Sequence, residues 1–73
     1  MALIQVRAEI SGSVWKIETK AGQQVMEEDV LLIMESMKME IPIMAPAAGV
    51  VKEIKVNEGD SIAEGDLTVV LED

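Results

Sequence analysis

Hydrophobic and polar residues alternate near the start of the chain, with Ile4, Val6 and Ala8 set against Gln5 and Arg7. A period of two predicts a half-buried strand. The same alternation returns further on, where Ile41 and Ile43 stand against Glu40 and Pro42. Two short apolar runs, Val30 to Met34 and Leu67 to Leu71, have the length and residue types of strands. No stretch long enough for a helix carries an apolar stripe at helical spacing. Turn residues separate the strand signals at Ser11-Gly12, Ala21-Gly22, Glu27-Glu28-Asp29, Ala48-Gly49, Glu58-Gly59-Asp60 and Glu64-Gly65-Asp66.

These signals come twice. An offset of 37 residues lays Ile4, Ala8, Gly12, Val14 and Ile17 on Ile41, Ala45, Gly49, Val51 and Ile54. It also lays Gly22, Glu27, Asp29 and Glu35 on Gly59, Glu64, Asp66 and Glu72. Nine identities in 35 aligned pairs compare with roughly two or three by chance, the mark of an internal repeat. Val6/Ile43, Val25/Ile62, Val30/Leu67, Leu32/Val69, Ile33/Val70 and Met34/Leu71 keep the apolar pattern. Only Met37 and Lys38 lie between the halves, residues 2–36 and 39–73.

Each half therefore predicts about four short strands. Neither ribbon can hide its apolar face alone, so the halves must pack on or interlock with each other. The expected fold is all-β, a flattened β-barrel or sandwich of two four-stranded antiparallel sheets with pseudo-twofold symmetry, filling residues 1–73 as a single domain. Pro42 and Pro46 place the strand after the midpoint at a sheet edge, where a missing N–H is tolerated.

Composition narrows the chemistry. The 73 residues hold one aromatic, Trp15, so Ile, Val, Leu, Met and Ala must fill the core. Met26, Met34 and Met44 are expected there as gap-fillers, and Trp15 as a partly buried packing residue. A net charge of −8 opposes binding to nucleic acid or to an anionic membrane. The absence of Cys and His removes disulfides, thiolate catalysis, common zinc sites and the usual neutral-pH acid/base group. No catalytic residue and no metal ligand set is expected, and the chain is read as a non-enzyme. Glu58/Asp60 and Glu64/Asp66 lack calcium-loop spacing and read as solvated turn residues. The N-terminus lacks the basic start and long apolar stretch of a signal peptide, and the longest apolar run is far below membrane-spanning length. The expected compartment is the cytoplasm.

If a pseudo-dyad relates the halves, Met37 and Lys38 fall where the last strand of one half turns into the first strand of the other. Lys38 then stands at an exposed hairpin tip. A two-residue turn ordinarily takes Asn-Gly or Asp-Gly, because its residues need positive φ. Met-Lys in that place predicts either a wider turn or stored backbone strain.

The segment Glu35-Ser36-Met37-Lys38-Met39-Glu40 resembles the attachment motif of biotin carboxyl carrier domains. The resemblance extends over nearly the whole chain: Gly12, Val14, Lys16, Gly22, Val25 and Val30 before the motif, and Ala45-Pro46-Ala47-Ala48-Gly49-Val50-Val51, Glu58-Gly59-Asp60 and Glu64-Gly65-Asp66 after it. It implies the two-halved flattened β-barrel already expected, the barrel-sandwich hybrid of the biotinyl/lipoyl attachment domains. It implies Lys38 as the covalently biotinylated residue, Met37 and Met39 as the flanking motif, and Glu35 as a ligase recognition residue. Lipoyl domains share the fold but set their lysine between Asp and Ala, so the Met flanks favour biotin over lipoate. The chain departs from many family members in lacking a proline before Gly12 and the length for a protruding thumb, and it resembles the stand-alone single-domain attachment proteins.

The implied partners are a biotin ligase, a biotin carboxylase and a carboxyltransferase of a biotin-dependent carboxylase, between which the carrier shuttles carboxybiotin. A lysine side chain in water is neutral in roughly one molecule in a few thousand at pH 7, so the acyl group must arrive activated, as a ligase-held adenylate. Lys16, Lys20, Lys38, Lys52 and Lys55 are chemically alike, and selection among them must come from presentation. Two other expectations compete: a lipoyl carrier, and an unmodified barrel that only helps to assemble a larger complex.

Overall fold

Alternating sequence becomes strand throughout. A computed structural model describes residues 2–73. The strands are β1 (Leu3–Arg7), β2 (Gly12–Ile17), β3 (Gln24–Val25), β4 (Val30–Ser36), β5 (Met39–Met44), β6 (Gly49–Ile54), β7 (Ser61–Ile62) and β8 (Leu67–Glu72). They form two four-stranded sheets, β1-β8-β6-β3 and β5-β4-β2-β7, with every pairing antiparallel. Each sheet takes two strands from each half, so the halves interlock. Exchanging each strand for its repeat equivalent turns one sheet order into the other.

The symmetry holds to the residue. Ile4 pairs with Leu71 as Ile41 pairs with Met34, and Val14 pairs with Met34 as Val51 pairs with Leu71. Four bulges obey it too. Leu31 and Thr68 are extra residues in β4 and β8, while Trp15 and Lys52 are extra residues in β2 and β6. Leu31 and Thr68 are fully buried and Trp15 and Lys52 are exposed. A bulge sets two residues against one and re-aims side chains, so one bulge pair feeds the core and the other decorates the outside.

Side chains from both sheets meet in a core of Val14, Val25, Leu31, Leu32, Met34, Val51, Val69 and Leu71, all sealed from water. Full burial of each larger aliphatic side chain is worth roughly 1.5–3 kcal/mol, which an aliphatic core delivers without aromatic residues. Two hydroxyls share this interior and are both satisfied. Thr68 Oγ1 donates to the Val6 carbonyl at 2.7 Å, and Thr19 Oγ1 donates to the Leu31 carbonyl at 3.2 Å. Among the described residues no buried side-chain polar atom lacks a partner. The methionines divide: Met34 is core, but Met26 is 61% and Met44 48% exposed, which corrects the expectation that all three fill the interior. Ile41 and Ile43 point inward from β5, so Met44 shares the outward parity of Glu40 and Pro42.

The acidic turn segments close the strands. Met26, Asn57 and Ala63 each donate a backbone N–H, at 2.9 Å, to the carboxylate of Asp29, Asp60 and Asp66 respectively. The returning N–H of each Asp bonds the carbonyl three residues back. The third residue of these turns has positive φ, and it is Gly59, Gly65 or, unusually, Glu28 at φ 75°. Glu28 occupies the place that its repeat equivalent fills with Gly65.

Candidate functional site at the β4–β5 hairpin

β4 and β5 pair continuously to the end of the ladder, where Ser36 faces Met39. Two residues remain to reverse the chain. Met37 has φ 52° and Lys38 φ 65°, so both adopt the left-handed conformation that a right-twisted two-residue hairpin demands. Neither is Gly, Asn or Asp. Of the two sequence alternatives, the chain takes the tight turn and bears the strain, roughly 1–3 kcal/mol for each such residue. The β4–β5 ladder, with β2 paired alongside β4, holds the turn in place.

Gly12 fixes how closely β2 approaches β4 at the base of this hairpin. A Cβ on Gly12 would run into the Glu35 carbonyl oxygen and stand 3.1 Å from Ser36 Cβ. Its equivalent, Gly49, would meet the Glu72 carbonyl oxygen at 2.8 Å. Glycine is required at both places for close backbone approach rather than for φ.

The tip is fully presented. Met37 is 92% and Met39 62% exposed, with Lys38 exposed between them. Two thioether side chains this open contribute almost nothing to the core, so stability does not explain them. Behind the lysine, Glu35 and Glu40 lie directly opposite each other and both are exposed. Like charges so placed are destabilising by some tenths of a kcal/mol. Among the described residues the ion pairs are Lys16–Glu18, Lys52–Glu72 and Lys55–Glu53, and Lys38 is in none of them. The structure thus gathers the four residues singled out in the sequence, Glu35, Met37, Lys38 and Met39, on one hairpin end. An open depression of about 630 Å³ flanks them, lined by Ser11, Ser13, Ser36 and Ser61 with Glu35 and Met37 among its walls.

One residue of this sheet outside the tip also stands open. Trp15 is 49% exposed on its outer face, where the bulge sets Trp15 and Lys16 against Ile33. The repeat, which puts Lys52 at the equivalent position, already marks a place that faces outward.

Fold and site together define a class: a small pseudo-twofold β-domain that displays one lysine, between two exposed methionines, on a two-residue hairpin. A family model described as biotin-requiring enzyme matches residues 5–71, and the chain belongs to this family of biotin/lipoyl attachment domains. It is 47% identical over 66 residues to the biotin/lipoyl attachment protein of Bacillus subtilis strain 168, spanning 90% of both chains. It is 45% identical over 67 residues to pyruvate carboxylase of Staphylococcus aureus strain Mu50, spanning 92% of this chain and 6% of that enzyme. The crystal structure of Kluyveromyces lactis urea carboxylase contains the same fold, with a TM-score of 0.93 at 30% identity over 99% of this chain and 6% of that one. The chain is homologous to the biotin carrier domains of carboxylases.

Proposed function

We propose that this domain is a biotin carboxyl carrier, loaded on Lys38 by a biotin ligase and serving a biotin carboxylase and a carboxyltransferase in the cytoplasm. The observation that carries the reading is the tip: a strained two-residue turn, bare of core contacts, that holds one amine clear of both sheets between Met37 and Met39. An exposed primary amine on a rigid ladder fits a covalent tether, because the acylating enzyme can surround it without moving any packed residue. Likeness to pyruvate and urea carboxylases supports biotin as the group.

Each residue of the tip has a part. Neutral Lys38 Nζ attacks the acyl carbon of the ligase-held adenylate; the new C–N bond forms as the bond to the phosphate oxygen breaks, AMP leaves with the electron pair, and Nζ gives up its proton. The two left-handed backbone residues hold that amine outward. Met37 and Met39 offer flexible, polarizable surface to the enzyme that closes over it. Glu35 supplies a carboxylate three residues ahead of the lysine as a recognition contact. Biotin supplies the carboxyl-carrying chemistry when bound, and tethering keeps it at high effective concentration for both partner enzymes. Acylation removes the Lys38 positive charge, leaving the carrier one unit more negative, and weak salt-sensitive docking on basic rims suits repeated hand-over.

Lipoate is the competing group. Co-expression with a biotin ligase in one culture and a lipoyl ligase in another, each followed by intact mass, separates the two. A single biotinyl addition in the first and none in the second is the expected pattern. Lipoyl addition alone would replace the biotin reading, and no addition to folded protein in either would leave an assembly module. Changing Met37 to Asp and Met39 to Ala should slow biotin loading, and unchanged loading would remove the flanks as discriminators.

A further inference from the structure

The internal repeat is a built-in control, because surface positions that the fold merely tolerates have an equivalent on the other sheet. On the outer face of β5-β4-β2, Pro42, Ile33 and Lys16 lie in register across the three strands, with Trp15 bulged beside Lys16. Met44 and Val30 pair one step further from the tip and are both exposed. The equivalents of Trp15, Pro42 and Met44 on the other sheet are Lys52, Gln5 and Arg7. Three positions that are polar on the other sheet are therefore apolar on the sheet that carries Lys38, against two reverse exchanges, Leu3 for Glu40 and Val50 for Ser13, whose polar members both flank Glu35 at the tip. The only aromatic residue of the chain is among the three.

We infer that this Trp15-centred face is a docking surface for the enzyme that acylates Lys38, engaging an apolar recess with a basic rim on that enzyme. The inference rests on the carrier reading above. Before loading, the amine ends a four-carbon stem, so the acylating enzyme must come against the hairpin itself. A specific interface takes about 800 Å² and 20–30 residues from each side, whereas the tip from Glu35 to Glu40 offers six residues. The inner face of the hairpin is core, so the footprint spreads over the outer face, where the apolar stripe begins directly behind the Glu35/Glu40 pair. Pro42 and Met44 also edge an open groove of about 620 Å³ between β5 and β1, which extends the same surface. Glu35, Glu40, Glu9 and Glu64 border the stripe and groove, against Arg7 in the groove and Lys16 in the stripe, and that excess of negative charge calls for basic groups opposite. A half-exposed Trp inside a polar rim has the make-up of an interface hot spot.

Steady-state loading with a purified biotin ligase, ATP and biotin tests this, with carrier concentration varied and stability followed by thermal melting. Trp15→Gln should raise the KM for the carrier by about tenfold or more, the scale of a hot-spot loss, with kcat nearly constant. Trp15→Lys copies the residue that the other bulge holds and should do the same while folding normally. Leu3→Gln, on the outer face of the other sheet, should change nothing. If the Trp15 variants melt early, Met44→Gln carries the test, with a smaller rise in KM expected. Wild-type KM in folded Trp15 and Met44 variants would overturn the docking surface while leaving the carrier reading intact. Wild type that no biotin ligase loads would overturn the carrier reading and the docking surface with it.

Discussion

The dyad gives the β4–β5 hairpin a counterpart, the β8–β1 pair, and the two differ in what closes them. Both run in the same register, with Glu35 facing Glu40 on one side and Glu72 facing Leu3 on the other. At the counterpart, Asp73 N–H donates to the Ala2 carbonyl at 3.1 Å and Ala2 N–H to the Asp73 carboxylate at 2.6 Å, so the ladder ends in hydrogen bonds with no covalent turn. At the hairpin, the same ladder is closed by two residues in a conformation neither prefers. One pair is thus aligned without a connecting turn, while the other carries a strained turn that presents Lys38. Agreement between halves marks the fold, as at Val14/Val51 and Gly12/Gly49. Disagreement marks what the fold leaves free for function.

Several substitutions sharpen this contrast. The largest effect is on loading: Lys38→Arg keeps the charge and the turn but removes the primary amine, and should abolish acylation with an unchanged melting temperature, read by mass and calorimetry. Next comes backbone clearance. Gly12→Ala should cost about 2–3 kcal/mol, by analogy with core overpacking, and lower the melting temperature by roughly 10–20 °C. Gly49→Ala has a looser contact and should cost less, about 1–2 kcal/mol; equal losses would mean that the closer approach of β2 to β4 has no energetic meaning. Relief of turn strain follows. Met37→Asn should stabilise the domain by about 1 kcal/mol, while slowing loading because a flanking thioether is gone. An unchanged or lower melting temperature would show that the tip stores no strain. Smallest is Glu28→Gly, which copies Gly65 and should add up to about 1 kcal/mol with no effect on loading.

Much of this was legible in the sequence because a repeat doubles every signal. Period-two alternation marked β1 and β5, apolar runs marked β4 and β8, and the 37-residue offset fixed the symmetry that makes the sheets equivalent. It also put Lys38 at the crossover. What the residues did not decide was whether the halves stacked or interlocked, since both bury the same apolar faces. Met44 follows parity rather than composition: Ile41 and Ile43 settle which side of β5 faces in. Trp15 is half-exposed, as its Lys52 equivalent suggests, but strand alternation carries no mark of the bulge that sets Lys16 on the same face beside it. Glu28 looked like one more acidic turn residue, and only its φ reveals that it stands where glycine is at ease.

The most direct test of the central claim, that the tip selects one lysine among five, is peptide mapping by mass spectrometry of the wild-type domain after co-expression with a biotin ligase. The account predicts a single biotinyl group, confined to the peptide containing Lys38, with Lys16, Lys20, Lys52 and Lys55 unmodified. Biotin spread over these other lysines, or a folded domain that stays unmodified beside an active ligase, would contradict it.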